Sequence, residues 1–502
     1  MHVLSIESSC DETSIAILSG EIKEKIDIQE LSDYLSSFSV VSSVVSSQIQ
    51  IHRKFGGVVP EVSARQHAEN IHQVLKTVLE KASLTLNFLA SIDYIFVTTE
   101  PGLISALRVG LEFAKSLQFF IKNKYGKATQ IHKVNHLRGH VASCFYHPST
   151  PPPSPLVKGV KVEEFGGLYN HTSNPLASQE TLDRGTPSFY QTPLFKGRTG
   201  KSELLLVKES AEGLELLNTP TFPHLHLLVS GGNSQILLFK SWHEWEIVGQ
   251  TLDDAAGECF DKAGRMLGLP YPGGVHISKI SGLNDENSCN FPIGMKQSQN
   301  LDYSFSGLKT AVRYFIQKQP SLEFEKLLTQ EEMNILLVLP VRKVSTQLAE
   351  GVQSTSLATQ APINSGTGEN KRSLYETAPS KGAIGKLELP LAKGSERKLW
   401  GLQSSTENSS SKLLLIKNIC ISVQSVVVRQ LMNKITLGIQ KYSPVSLGLS
   451  GGVSANPLLR QKMQTLAIKN DLKLLLPETS LTGDNAVMIS LAGLSDIVQD
   501  SN

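Results

Sequence analysis

Two histidines, His136 and His140, stand four residues apart in NHLRGHVASCFY (135–146). At that spacing on a helix both imidazoles share one face, one turn apart, and can grip a metal ion. The peptide-cleaving form of such a pair needs a glutamate directly after the first histidine as general base. Leu137 stands there, which argues against a protease. A third ligand has to come from elsewhere. Asp484, in LTGDNAVMIS (481–490), follows a glycine and precedes an apolar run, so it suits a helix N-cap and equally suits a carboxylate ligand. Two imidazoles and one carboxylate leave coordination positions open. Such a set suits iron or zinc, with manganese and magnesium as further options.

Small-residue turns form the second group. In LVSGG, Leu228, Val229, Ser230, Gly231 and Gly232, backbone N–H groups can approach a phosphate because glycine has no Cβ; a plain hairpin turn reads the same way. SGGVSAN (450–456) ends at Asn456 before a helical run, and a helix N-terminus favours an anion. Between them DDAAGECFDKAGRMLGLPYPGG (253–274) carries Asp254, Glu258 and Asp261 and closes on Gly274. A carboxylate there can accept hydrogen bonds from ribose hydroxyls, or can sit on a solvated helix face.

The elements that must position these groups alternate strand and helix. Residues 3–6 and 14–18 are β-prone runs around the polar turn ESSCDET, and 225–239 repeats that hairpin plan around SGGNS. Residues 94–98 and 130–134 read as strands and 104–121 as a helix, so the candidate groups follow strand ends, where open α/β sheets place ligands. Two hairpins, one in each half, predict a duplicated α/β fold with a central cleft between two lobes.

The chain has 502 residues, 40% of them apolar and 19% charged, with a net charge of +2. That suits a globular protein with a sizeable core and demands no nucleic acid partner. Its five cysteines are scattered and form no CxxC pair, consistent with reduced thiols. The start shows neither a basic region nor a long apolar run, so the expectation is a cytoplasmic protein with no membrane span. Residues 147–223 and 340–412 are rich in Pro, Ser, Thr and Gly without periodicity and read as two long flexible insertions. They contain a short echo, PLVKG, PLFKG and PLAKG. The expected organisation is an N-terminal lobe at 1–134, with 481–502 packing back near the cleft, and a C-terminal lobe at 135–480.

Eight motifs in order, SIESSCDETSIAI, FGGVVPEVSARQH, VNHLRGH, LLVSGG, LDDAAGECFDKAGRMLGLPYPGG, YSFSGLKTAV, LSGGVSAN and TGDNAVMI, closely resemble the tRNA N6-adenosine threonylcarbamoyltransferase family in its bacterial and organellar form. The resemblance covers nearly all of the chain outside the two insertions. It implies an actin-like two-lobed fold and transfer of a threonylcarbamoyl group from threonylcarbamoyl-AMP to N6 of the adenosine beside the tRNA anticodon. It implies metal ligands at His136, His140 and Asp484, nucleotide-binding positions at Leu228 to Gly232, Asp261, Gly274 and Asn456, and an acidic pair needed for activity at Asp11 and Glu12. The expected cofactor is one divalent metal ion per subunit, Fe2+ ahead of Zn2+, Mn2+ or Mg2+. Expected partners are tRNA, threonylcarbamoyl-AMP and accessory proteins, a paralogous actin-like scaffold and a small ATPase. The main alternative is a non-catalytic scaffold subunit of the same pathway, against which the metal histidines argue; a small-molecule kinase on the same fold would not need them. For tRNA, His52, Arg53, Lys54 and Arg65 are the candidate contacts. Glu100, Arg138 and Asn233 depart from the family pattern, where Gly, Glu and His are usual.

Overall fold

The computed structural model describes residues 1–23, 25–26, 30–147, 221–319, 327–340 and 406–500. Most of the two expected insertions, and all three echo segments, lie outside the described residues.

Six strands fall before residue 147: β1 (His2–Glu7), β2 (Glu12–Ser19), β3 (Lys25–Ile26), β4 (Ser39–Ser47), β5 (Ile92–Glu100) and β6 (Gln130–Asn135). Five of them form a sheet in the order β4-β2-β1-β5-β6. After residue 223 come β7 (His224–Val229), β8 (Ser234–Phe239), β9 (Trp245–Gln250), β10 (Ser446–Ser450) and β11 (Lys473–Leu475), in the order β11-β10-β7-β8-β9. The two sheets share one plan. The first strand of each pairs antiparallel with the second and parallel with the fourth. The second pairs antiparallel with the third, and the fourth parallel with the fifth. The duplication expected from the two hairpins is therefore complete at the level of topology. The short β3 pairs with β12 (Gln499–Asp500).

Period-two alternation builds the first lobe as three layers. Leu4, Ile6, Ile15 and Ile17 face Ile71, Val74, Val78, Ala114, Leu117 and Ile121 of the helices Pro60–Lys81 and Ile104–Tyr125. Their neighbours Val3, Ala16 and Leu18 face the opposite way, onto the helix Ala486–Ile497. With both faces covered, the strands read as apolar runs. The helix Ala486–Ile497 thus lies at the centre of one layer of the first lobe.

The boundary drawn at residue 134 cuts through a shared core. The helix His136–Ala142 contributes Leu137, Val141 and Ala142 to a cluster that holds β1 and β2 residues as well as Leu228, Leu237, Phe239 and Trp242 from the second half. The sequence offers no break there because the helix follows β6 directly.

A second difference concerns 340–412. A helix runs Thr406–Tyr442, so its first turns fall inside the segment read as an insertion. Serine and asparagine dominate those turns, and composition hides a helix that the apolar pattern after residue 412 propagates backwards. Within it Ser411–Tyr442 is long and apolar enough to cross a membrane. Ile416, Ile419, Val423, Val426, Val427 and Leu431 are instead fully buried in the second lobe's core, so it serves as that lobe's central helix. Buried Lys434 on the same helix donates from Nζ to the carbonyls of Ser298 and Asn300, at 3.0 and 2.8 Å.

Candidate metal centre and active cleft

The helix His136–Ala142 starts where β6 ends, with Asn135 as its cap: Asn135 Oδ1 accepts from Leu137 N at 2.9 Å. Gly139 lets this helix lie close against Ala486–Ile497, for a Cβ on Gly139 would meet Ile489 Cδ1 at 3.0 Å and Met488 Cγ at 3.2 Å. That close approach brings both histidines to the start of the second helix. Asp484 does not cap it. Asn485 does, accepting from Met488 N at 3.0 Å, which leaves the Asp484 carboxylate for another partner.

Asp484 Oδ1 stands 3.2 Å from His140 Nε2 and 3.6 Å from His136 Nε2. The three ligand atoms lie within 4.8 Å of one another. For bonds of about 2.0–2.2 Å, ligand atoms of one ion stand roughly 3–4 Å apart, so the set fits a divalent cation after a small contraction. His140 is fully buried, and among the described residues neither of its ring nitrogens has a partner of hydrogen-bond geometry. A buried nitrogen lone pair aimed at a carboxylate and a second imidazole is the electronic demand that a cation meets.

Glu7, at the end of β1, completes the centre and was not singled out from the sequence. His136 Nδ1 lies 3.1 Å from Glu7 Oε2, and Ser9 Oγ stands 3.2 Å from the same nitrogen. Thr98 Oγ1 donates to Glu7 Oε2 at 2.6 Å and Ser9 N donates to Oε1 at 2.5 Å. A carboxylate accepting from Nδ1–H fixes the His136 tautomer with the Nε2 lone pair toward Asp484. Burial opposes the charge on both groups. Even so, His136 holds Glu7 below the usual carboxylate range, while Asp484 and Glu7 raise the His136 imidazole. The available signal was β1 itself: a strand buried on both faces that ends in a charge must supply that charge with partners. Glu7→Gln should weaken metal affinity about 10–100-fold. Competition against a chelating indicator measures this, and unchanged affinity removes the role given to Glu7.

The acidic turn between β1 and β2 is clamped from outside. Ser63 Oγ donates to the carbonyl of Cys10, and His67 Nε2 lies 3.1 Å from it. His67 Nδ1 stands 2.7 Å from Thr13 Oγ1, Gln48 N donates to the Asp11 carbonyl at 2.9 Å, and Leu103 N donates to Ser9 O at 2.8 Å. The PEVSARQH motif thus holds this turn, with Ser63 and His67 one helical turn apart on the gripping face. Asp11 is buried. Burial lifts the proton affinity of Glu12 well above that of an ordinary carboxylate, and the charges of Asp11 and Asp484 add to it.

The second lobe faces this turn. Leu228 and Val229 are buried at the end of β7. Ser230, Gly231 and Gly232 make the hairpin turn, with Ser230 N donating to Asn233 O at 2.7 Å. Asn233 therefore serves through its backbone. A Cβ on Gly231 or Gly232 would meet nothing within 4 Å, and neither needs a left-handed backbone. Packing does not require glycine at either position, which leaves open backbone as the reason for it. Asp261 Oδ1 accepts from Gly274 N at 3.0 Å, at the start of the helix Gly273–Ser281. Burial pushes Asp261 up to about 6 against those backbone donors, with a smaller push from Asp11 across the cleft. Burial raises the Tyr271 phenol, also unassigned from sequence, and the charges of Asp11 and Asp261 add to that. Asn456 lies at the end of the SGGVSAN segment, before the helix Pro457–Lys469. Its Oδ1 caps the helix Pro457–Lys469 through Leu459 N at 3.0 Å, and its amide nitrogen reaches Gln424 Oε1 at 2.7 Å and Ser278 Oγ at 3.1 Å. Its side chain thus ties the start of that helix to the helices that carry Ser278 and Gln424.

Arg138, between the two histidines, points away from the centre. It pairs with Asp496 at 2.6 Å, donates to the carbonyl of Trp242 at 3.3 Å and lies over that indole at 4.4 Å. It ties the C-terminal helix to the second lobe. Glu100 is exposed at the end of β5, and His52 is fully buried between Gln48 Oε1 and Val59 N. His52 is thus no surface contact; Arg53, Lys54 and Arg65 are exposed. A separate cavity of about 1000 Å³ lies between the helices Pro60–Lys81 and Ile104–Tyr125, and no residue of the centre lines it.

Two lobes of one repeated topology, with a His-His-Asp cluster and a glycine-turned second lobe, define a two-lobed α/β protein. The family model for tRNA N6-adenosine threonylcarbamoyltransferase matches residues 39–174 and 209–491, and the chain belongs to that family. It is 31% identical to the tRNA N6-adenosine threonylcarbamoyltransferase of Thermosipho africanus over 494 residues, 98% of this chain and 93% of that protein. The enzyme of the same name from Thermosipho melanesiensis is 35% identical over 319 residues, 63% of this chain and 68% of its own. That from Clostridium novyi is 32% identical over 393 residues, 76% and 87%.

Proposed function

We propose that this chain transfers a threonylcarbamoyl group from threonylcarbamoyl-AMP to N6 of the adenosine adjacent to the tRNA anticodon, releasing AMP. Family membership supports the reaction, and the convergence of His136, His140 and Asp484 supports a catalytic rather than a scaffold subunit. The proposed fold name is actin-like, on the repeated sheet plan.

Bound at these three side chains, one divalent ion, Fe2+ ahead of Zn2+, Mn2+ or Mg2+, supplies Lewis acidity toward the donor's phosphate and carbamoyl oxygens. Glu7 keeps His136 in the ligating tautomer. The open turn Ser230–Gly231–Gly232 takes the nucleotide phosphate against backbone N–H groups. Asp261, held by Gly274, accepts from the ribose hydroxyls, and Leu228 and Val229 wall the site. Holding the donor converts a bimolecular step into a positioned one. The exocyclic amine must lose a proton as its bond to the carbonyl forms. Glu12 takes it, because a carboxylate with raised proton affinity is the stronger base, and Asp11 keeps that affinity high. Accessory proteins of the pathway, a paralogous scaffold and a small ATPase, are the expected partners.

The test incubates the protein and its accessory proteins with threonylcarbamoyl-AMP and unmodified tRNA, followed by mass spectrometry of the digested nucleosides. Threonylcarbamoyladenosine is the expected product. Its absence with metal present overturns the reading.

A further inference from the structure

A basic and aromatic patch spans the mouth of the cleft. Arg53, Lys54 and Phe55 form one exposed turn, and Phe55 is 52% exposed. This turn leaves His52, which is buried beside the acidic turn, and reverses at Gly56, whose φ of +71° suits glycine. From the second lobe Arg265 leans onto it: a Cβ on Gly56 would stand 2.7 Å from Arg265 Nη1. The helix Gly273–Ser281 starts close to Arg265, since a Cβ on the preceding Gly264 would stand 2.7 Å from Gly273 Cα, and it exposes Val275 and Lys279. Among the described residues no carboxylate forms an ion pair with Arg53, Lys54, Arg265 or Lys279.

Uncompensated cations on both rims of a cleft repel one another across it, and an exposed phenylalanine between them gains nothing from the fold. Both features fit one ligand chemistry, a single-stranded RNA loop. Its phosphates take the cations, and an unstacked base takes the aromatic face. We propose that Arg53, Lys54, Arg265 and Lys279 hold the phosphates of the tRNA anticodon loop while Phe55 stacks on a base flanking the target adenosine. This rests on the proposed transfer reaction. Phosphate contacts fix the register of the loop, and the stacked base holds its neighbour extended toward Glu12 and the centre.

Fluorescence anisotropy with a labelled anticodon stem-loop, over a salt series, tests the surface. Replacing both Arg53 and Lys54 by serine should raise Kd about tenfold or more at 0.1 M salt. It should also make the dependence of log Kd on log salt shallower by about 1.5, as for two lost phosphate contacts. Phe55→Ala should raise Kd about tenfold and leave the salt slope unchanged, because stacking releases no counterions. In the transfer assay both variants should raise KM for tRNA and leave KM for the threonylcarbamoyl donor at the wild-type value. Wild-type Kd and slope in both variants overturn the surface while leaving the transfer reading intact, provided the wild type modifies tRNA. A wild type that neither binds nor modifies tRNA overturns both.

Discussion

His140→Ala is expected to lower threonylcarbamoyl transfer on the order of 10³-fold, because a Lewis acid in such a site supplies several kcal/mol of transition-state stabilisation. His140 is the informative ligand to remove. Its one close polar neighbour among the described residues is Asp484, 3.2 Å from Nε2, and Asp484 retains His136 at 3.6 Å. The loss should therefore appear in metal content and rate. His136→Ala should lose the same activity and also destabilise the fold by about 3–5 kcal/mol, because the buried Glu7 carboxylate keeps Thr98 and Ser9 as donors and loses the imidazole that offsets its charge. Metal analysis, transfer rate and thermal unfolding of the two variants separate these effects. An active His140→Ala protein that retains its metal would remove the ligand role.

Glu12→Gln should lower the transfer rate by about 10²–10⁴-fold, the range for loss of a positioned general base. Glutamine keeps the shape and can still meet Ser47 Oγ, which donates to Glu12 Oε1 at 3.3 Å. The sign of the pH dependence follows from the raised proton affinity. Glu12 acts as a base only when ionised, so wild-type kcat/KM should fall as pH drops through a value above the usual carboxylate range. The residual rate of Glu12→Gln should lack that acid limb. A variant with wild-type rate and profile would show that Glu12 only shapes the turn.

Much of this was legible along the chain because it is written locally. The i, i+4 histidines, the two hairpins with polar turns and the glycines after β7 each carry their signal within a dozen residues. What remained hidden depends on distant partners. Glu7 meets His136 across 129 residues, and only the closing of β1 against β5 and β6 sets that distance. Arg138 looked anomalous beside the metal histidines because its partners, Trp242 and Asp496, lie in other parts of the chain. At LTGDNAVM the cap falls to Asn485, one residue beyond the aspartate, a shift too fine for sequence pattern to resolve. His52 shows the opposite case: a polar residue in a basic stretch whose side chain is buried and engaged by Gln48 and Val59.

X-ray absorption spectroscopy of the metal-loaded protein measures the centre directly. One ion per chain, with two imidazole nitrogens and a carboxylate oxygen at about 2.0–2.2 Å, is the predicted result, and the second imidazole should vanish in His140→Ala. A spectrum without histidine scattering, or one unchanged by that substitution, would contradict the centre described here.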